Sequence, residues 1–96
     1  MSTYKFENGS DMESMAYGMG YRAGTEHGWR KSMLESANDE NRELHDSGFY
    51  ASHWICNWQE NIAGMYGMRD AYMAGLEDGI IDGEQAHLKS REEDAA

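Results

Sequence analysis

Apolar residues recur along this chain at spacings of three and four. Met12, Met15, Ala16, Met19, Ala23, Met33, Leu34 and Ala37 keep that rhythm through the first half, which is the period of one face of an α-helix rather than of a strand. Just ahead stands Ser10-Asp11-Met12-Glu13. It has the form of a capping box, with Asp11 placed to complement the helix dipole. The pattern predicts a helix over about 11–36, preceded by a flexible lead-in at 1–9. Residues 38–48 hold one large apolar side chain, Leu44, and end in Ser47-Gly48, so they predict a solvated acidic connector with room for one or two helical turns. The apolar period resumes with Phe49, Tyr50, Trp54, Ile55, Trp58, Ile62 and Met65, and runs on through Met68, Tyr72, Met73, Leu76 and Ile80. That predicts a second helical segment over about 49–87, with Gly64 and Gly67 as its candidate break points, and a charged tail at 89–96. The fold expected is all-α: one domain over 10–88, its two long segments packed as an antiparallel hairpin.

Proline is absent, which suits helices, but eleven glycines do not. Their spacing gives them a purpose. Ala16, Gly20, Gly24, Gly28, Ser32 and Ser36 form a ladder of small residues spaced by four, and Ala63, Gly67, Ala71, Gly75, Gly79 and Gly83 form another. At an offset of 51 the two copies share Tyr21/Tyr72, Ala23/Ala74, Gly24/Gly75, Glu26/Glu77 and Gly28/Gly79. Each helical glycine costs about 1 kcal/mol relative to alanine, so the six in Gly20, Gly24, Gly28, Gly75, Gly79 and Gly83 cost roughly 6 kcal/mol. Close approach of two helix backbones, with its dispersion and Cα–H···O contacts, is what offsets such a cost. Gly67 belongs to the same expected contact. A row spaced by four drifts about 40° per step, so two or three glycines would serve each crossing. The ladder with its aromatic resembles segments of type III export stator regulators and of deca-GX3 adaptor proteins, a likeness that implies close helix contact and no shared function.

Charge changes the picture of partners. Eighteen Asp and Glu against eight Lys and Arg leave a net charge of −10 in 96 residues, which argues against direct contact with nucleic acid or an anionic membrane. The charge is localised: residues 70–84 carry −5 through Asp70, Glu77, Asp78, Asp82 and Glu84. On a wheel Asp70, Glu77 and Glu84 form one stripe opposite Tyr72, Leu76 and Ile80. Such a stripe is ordinarily a solvated face; its sharper reading is a row of carboxylates imitating phosphates. One cysteine, no apolar leader and no long apolar run make a cytoplasmic protein the expectation.

The motifs that carry chemistry stay incomplete. Glu84-Gln-Ala-His87 has di-iron spacing, but its second copy is missing. His53 and Cys56 make half a zinc site and nothing completes it. Gly18-Met19-Gly20 has no preceding strand to make a phosphate cradle. No catalytic residue, metal or cofactor is therefore expected. Phe49, Tyr50, Trp54 and Trp58 are the densest aromatic cluster; core packing against the methionines is the first reading, and a partner or oligomer interface the functional one. The expectation is a small non-enzymatic inhibitor or regulator, of the kind phages and mobile elements encode. It would bind a protein partner with a basic, nucleic-acid-handling surface and itself form a homo-oligomer. The alternatives are a self-assembling scaffold joined by the glycine ladders and a helical oligomer that binds a small ligand.

Overall fold

A computed structural model describes residues 4–6 and 9–95. They form three helices, α1 (Asp11–Ser36), α2 (Arg42–Met65) and α3 (Arg69–Ala95). Helix α1 begins where the capping box places it: the Ser10 hydroxyl accepts from the Glu13 amide at 3.2 Å. Of the expected lead-in, residues 1–3, 7 and 8 lie outside the described residues; Tyr4 and Phe6 bring their rings to 6.2 and 5.4 Å from that of Tyr17.

The connector is shorter than the charge pattern suggested. Helix α1 stops at Ser36, and α2 already starts at Arg42. The Asn38 side chain accepts from the Asn41 amide at 3.1 Å, which turns the chain in one step. Arg42, Glu43 and Leu44 are good helix formers whatever their polarity. The expected long segment over 49–87 is likewise two helices. Gly67 takes φ +70, the Met68 amide reaches back to Ala63 O at 2.8 Å and the Gly67 amide to Gly64 O at 3.1 Å. That is a Schellman stop, and glycine supplies the left-handed residue it requires. The expected charged tail is helical through residue 95, since Leu88, Lys89, Arg91, Glu92 and Glu93 all favour the helix.

Two turns instead of one change the topology. Helix α2 runs antiparallel to α1, with Ser52 beside His27 and Cys56 beneath Ala23. Helix α3 then returns parallel to α1, as the order of their contacts shows. A Cβ on Gly20, Gly24 or Gly28 would fall within 3.0 Å of the carbonyl oxygen of Tyr72, Leu76 or Ile80 in turn. From the other side, Gly75, Gly79 and Gly83 stand in the same way against the carbonyls of Tyr17, Tyr21 and Thr25. The antiparallel packing expected for the two ladders is therefore corrected to a parallel one. Gly67 leaves the contact set, because it sits in the turn with nothing within 4 Å of its Cβ position.

The register also differs from the internal repeat. Gly20 stands level with Gly75, Gly24 with Gly79 and Gly28 with Gly83, an offset of 55 rather than 51. Side chains flanking the ladder select the step. In the observed register Tyr17 reaches Asp78 and Tyr21 reaches Asp82; a slide of four residues would set Tyr17 against Ala74. Little conventional core is needed around such a pair. Among the described residues Tyr72 is the large side chain buried below 2% exposure, with Ala16, Ala23, Cys56, Ala63, Ala71 and Leu76 around it.

Candidate functional site

The acidic stripe divides on folding. Asp78 accepts from the Tyr17 hydroxyl and Asp82 from the Tyr21 hydroxyl, each at 2.5 Å. Glu84 pairs with Lys31 at 2.9 Å. These three carboxylates therefore bridge α3 to α1. The bond to Asp82, with smaller contributions from burial and neighbouring charge, pushes the Tyr21 phenol above its ordinary value. Asp70 and Glu77 remain exposed. A continuous row of five free carboxylates is thus not presented; two stand outward and three are committed within the chain.

The aromatic cluster divides too, and here the packing expectation is overturned. Phe49 is half-buried, its ring stacked 4.7 Å from that of His27. Tyr50, Trp54 and Trp58 face outward with 63, 65 and 54% of their surface exposed, and the two indoles stack at 6.4 Å and 9°. Four of the methionines they were expected to meet lie elsewhere. Met12, Met15, Met19 and Met68 line an apolar groove of about 230 Å³ with Ile62, Tyr66 and Tyr72, at the end of the bundle beside the α2–α3 turn. The physical reason is geometric. With α1 and α3 at glycine contact, the centre of the α2 contact takes small side chains, Ser52, Cys56 and Ala63, with Phe49 at its edge against His27. Tyr50, Trp54 and Trp58 on the same helix are left facing away.

Two buried histidine–serine contacts were invisible in the sequence reading. The Ser52 hydroxyl donates to Phe49 O at 2.8 Å, which leaves its oxygen to accept from His27 Nδ1 at 3.0 Å. Ser32 Oγ and His87 Nδ1 meet at 2.7 Å, with the Trp29 ring edge-on to the imidazole at 5.1 Å. Burial, more than the nearby cationic groups, lowers the pKa of both imidazoles, so they sit neutral. The signal for the second contact was available: His87 lies one ladder step beyond Gly83, opposite Ser32 of the other ladder. Ser32 is 4% exposed, so its hydroxyl closes the ladder as a packing contact.

The incomplete motifs stay apart. His53 is exposed and bonded to Asn57 at 3.2 Å, whereas Cys56 is buried beneath Ala23 O at 3.9 Å. Burial pushes the Cys56 thiol above its ordinary value, away from nucleophilic use. Among the described residues no three His, Cys, Asp or Glu side chains converge on a point where a metal ion could sit, and no helix is long and apolar enough to cross a membrane. Tested against protein-family models, curated proteins and solved structures, the chain matches none of them.

Proposed function

We propose that this chain is a small protein-interaction module in which the glycine-locked α1/α3 pair acts as a rigid platform and α2 is the docking helix. One observation carries the reading: α2 turns Ser52, Cys56 and Ala63 inward and Tyr50, Trp54 and Trp58 outward. Exposed Trp and Tyr on a rigid helix are the side chains that concentrate binding energy at protein interfaces. A platform held by backbone contact keeps that face pre-organised, which lowers the entropic cost of docking.

An inhibitor or regulator of a nucleic-acid-handling protein, acting by charge mimicry, is the second reading. It now rests on the exposed Asp70 and Glu77 together with the acidic end Glu92, Glu93 and Asp94. The two separate in one experiment. Immobilised protein captures partners from lysate as wild type, as Trp54→Lys/Trp58→Lys and as Asp70→Lys/Glu77→Lys. Docking through α2 predicts loss of capture with the tryptophan variant and retention with the acidic one. The opposite pattern, with the acidic variant still fully helical, would refute the α2 reading in favour of mimicry.

A further inference from the structure

Helix α2 is built the wrong way round for a helix whose outer side ends in water. Its outward arc holds Tyr50, Trp54, Trp58 and Met65, the last 82% exposed, all within about 80° of one another at 100° per residue. From Ser47 to Gln59 there is no Asp, Glu, Lys or Arg, in a chain whose net charge is −10. A solvated helical face carries charge. This one does not.

We propose that α2 docks on α2 of a second copy of this chain, antiparallel, about a two-fold axis at Trp54. The proposal rests on the docking reading above and names its partner. Symmetry supports it first. Tyr50 and Trp58 stand four residues either side of Trp54, so an antiparallel pair sets each Trp54 against its copy and brings each Trp58 toward the other copy's Tyr50. Such self-complementarity is what a closed dimer requires.

Charge supports it next. With facing residue numbers centred on 54, Asp46 falls opposite Ile62, Glu43 opposite Met65 and Glu60 opposite Gly48, so no like charges meet. A parallel pair would oppose Glu43 to its own copy and align the two helix dipoles. A basic partner would find nothing to pair with along 47–59, whereas a second copy offers an equally uncharged face. Area is sufficient as well. The exposed parts of the four side chains amount to about 500 Å² per copy, hence about 1,000 Å² over the pair, the size at which specific interfaces begin. The glycine ladders cannot supply this contact, because each already lies against the other within one chain.

The test combines sedimentation velocity across the micromolar range with disulfide trapping. The full chain is compared as wild type and as Trp54→Lys/Trp58→Lys, with far-UV circular dichroism on both. Ser47→Cys and Asn61→Cys variants are then oxidised alone and mixed. Cys56 stays in place, since it is 5% exposed, and oxidised wild type is the control. Expected are a wild-type dimer, a dissociation constant raised at least about 100-fold by the lysines with helicity retained, and a mixed 47–61 disulfide. Each cysteine variant alone should stay uncrosslinked, because like sites would stand about 21 Å apart along the antiparallel pair. A monomer throughout, a dimer indifferent to the lysines, or self-crosslinking of each cysteine variant would overturn the proposal. A monomer whose capture of other proteins still depends on Trp54 and Trp58 would remove the second copy and leave the docking face standing. A monomer without that dependence would remove both.

Discussion

Two glycines six residues apart in α1 should respond to alanine with opposite sign. At Gly18 nothing lies within 4 Å of the Cβ position, so Gly18→Ala should gain helix propensity alone, about 1 kcal/mol. At Gly24 the same methyl would meet the Leu76 carbonyl, with Ile80 N at 3.0 Å. These are backbone atoms of another helix and cannot rotate aside. To restore ordinary contact α3 must withdraw by roughly 1 Å, and neighbouring atom pairs would then forfeit a quarter to a half of their dispersion wells. Set against the same propensity gain, a net loss of about 2–4 kcal/mol follows. A domain of this size is stable by only about 5–15 kcal/mol, and 1 kcal/mol moves Tm by about 4–8 °C. Gly24→Ala should therefore lower Tm by on the order of 10–20 °C while Gly18→Ala raises it by about 5 °C. Thermal and urea melts followed by far-UV circular dichroism read both. A Gly24→Ala protein that melts at or above wild type would refute backbone contact between α1 and α3.

Mild acid should weaken the fold. Burial lowers the pKa of His27 and His87 in the folded chain. The unfolded chain therefore takes up protons first as pH falls below about 6.5, and stability present above that value is lost on the way down. Urea midpoints measured from neutral to mildly acid pH should fall, and His27→Asn should flatten the slope; an unchanged slope would count against buried neutral imidazoles. At the alkaline end the sign reverses. Tyr72, 1% exposed, donates toward Cys56 O at 3.2 Å and Gln59 Oε1 at 3.0 Å, and burial pushes its phenol well above the ordinary range. The stability that Tyr72 contributes should hold below about pH 10 and be lost above it as the unfolded chain ionises first. Tyr72→Phe should reduce the chain's alkaline loss, of which Tyr21 and Cys56 carry the remainder, while costing about 1 kcal/mol at neutral pH.

Local periodicity and chemistry made much of this protein legible. The start of α1 at Asp11 and its end at Ser36 follow from a capping box and a three–four apolar rhythm, which act over one turn of chain. The all-helical class followed from the same rhythm. The α2–α3 break was visible as a glycine, Gly67, but its consequence was not: one extra turn converts an antiparallel pair of ladders into a parallel one. Ladder register was also hidden, because every step of four looks alike in sequence. What distinguishes one step from the next is the reach of flanking side chains, Tyr17 to Asp78, Tyr21 to Asp82, Lys31 to Glu84 and Ser32 to His87.

The same limit explains why the candidate face was misjudged. Composition gathered Phe49, Tyr50, Trp54 and Trp58 into one cluster and assigned it first to a core. A wheel drawn for α2 alone cannot say which of its sides meets a neighbour. What decides is the closeness of α1 and α3, which leaves α2 a shallow seat whose centre Ser52, Cys56 and Ala63 fill. By itself, then, the sequence determined where helices begin, that glycine rows would bring backbones together, and that charge gathers on α3, since each depends on neighbours within a turn or on simple sums. Tertiary structure alone decided the direction of the ladder pair, the commitment of Asp78, Asp82 and Glu84 to α1, and the exposure of Trp54 and Trp58, since each depends on residues that lie far apart in the chain and meet only once all three helices have packed.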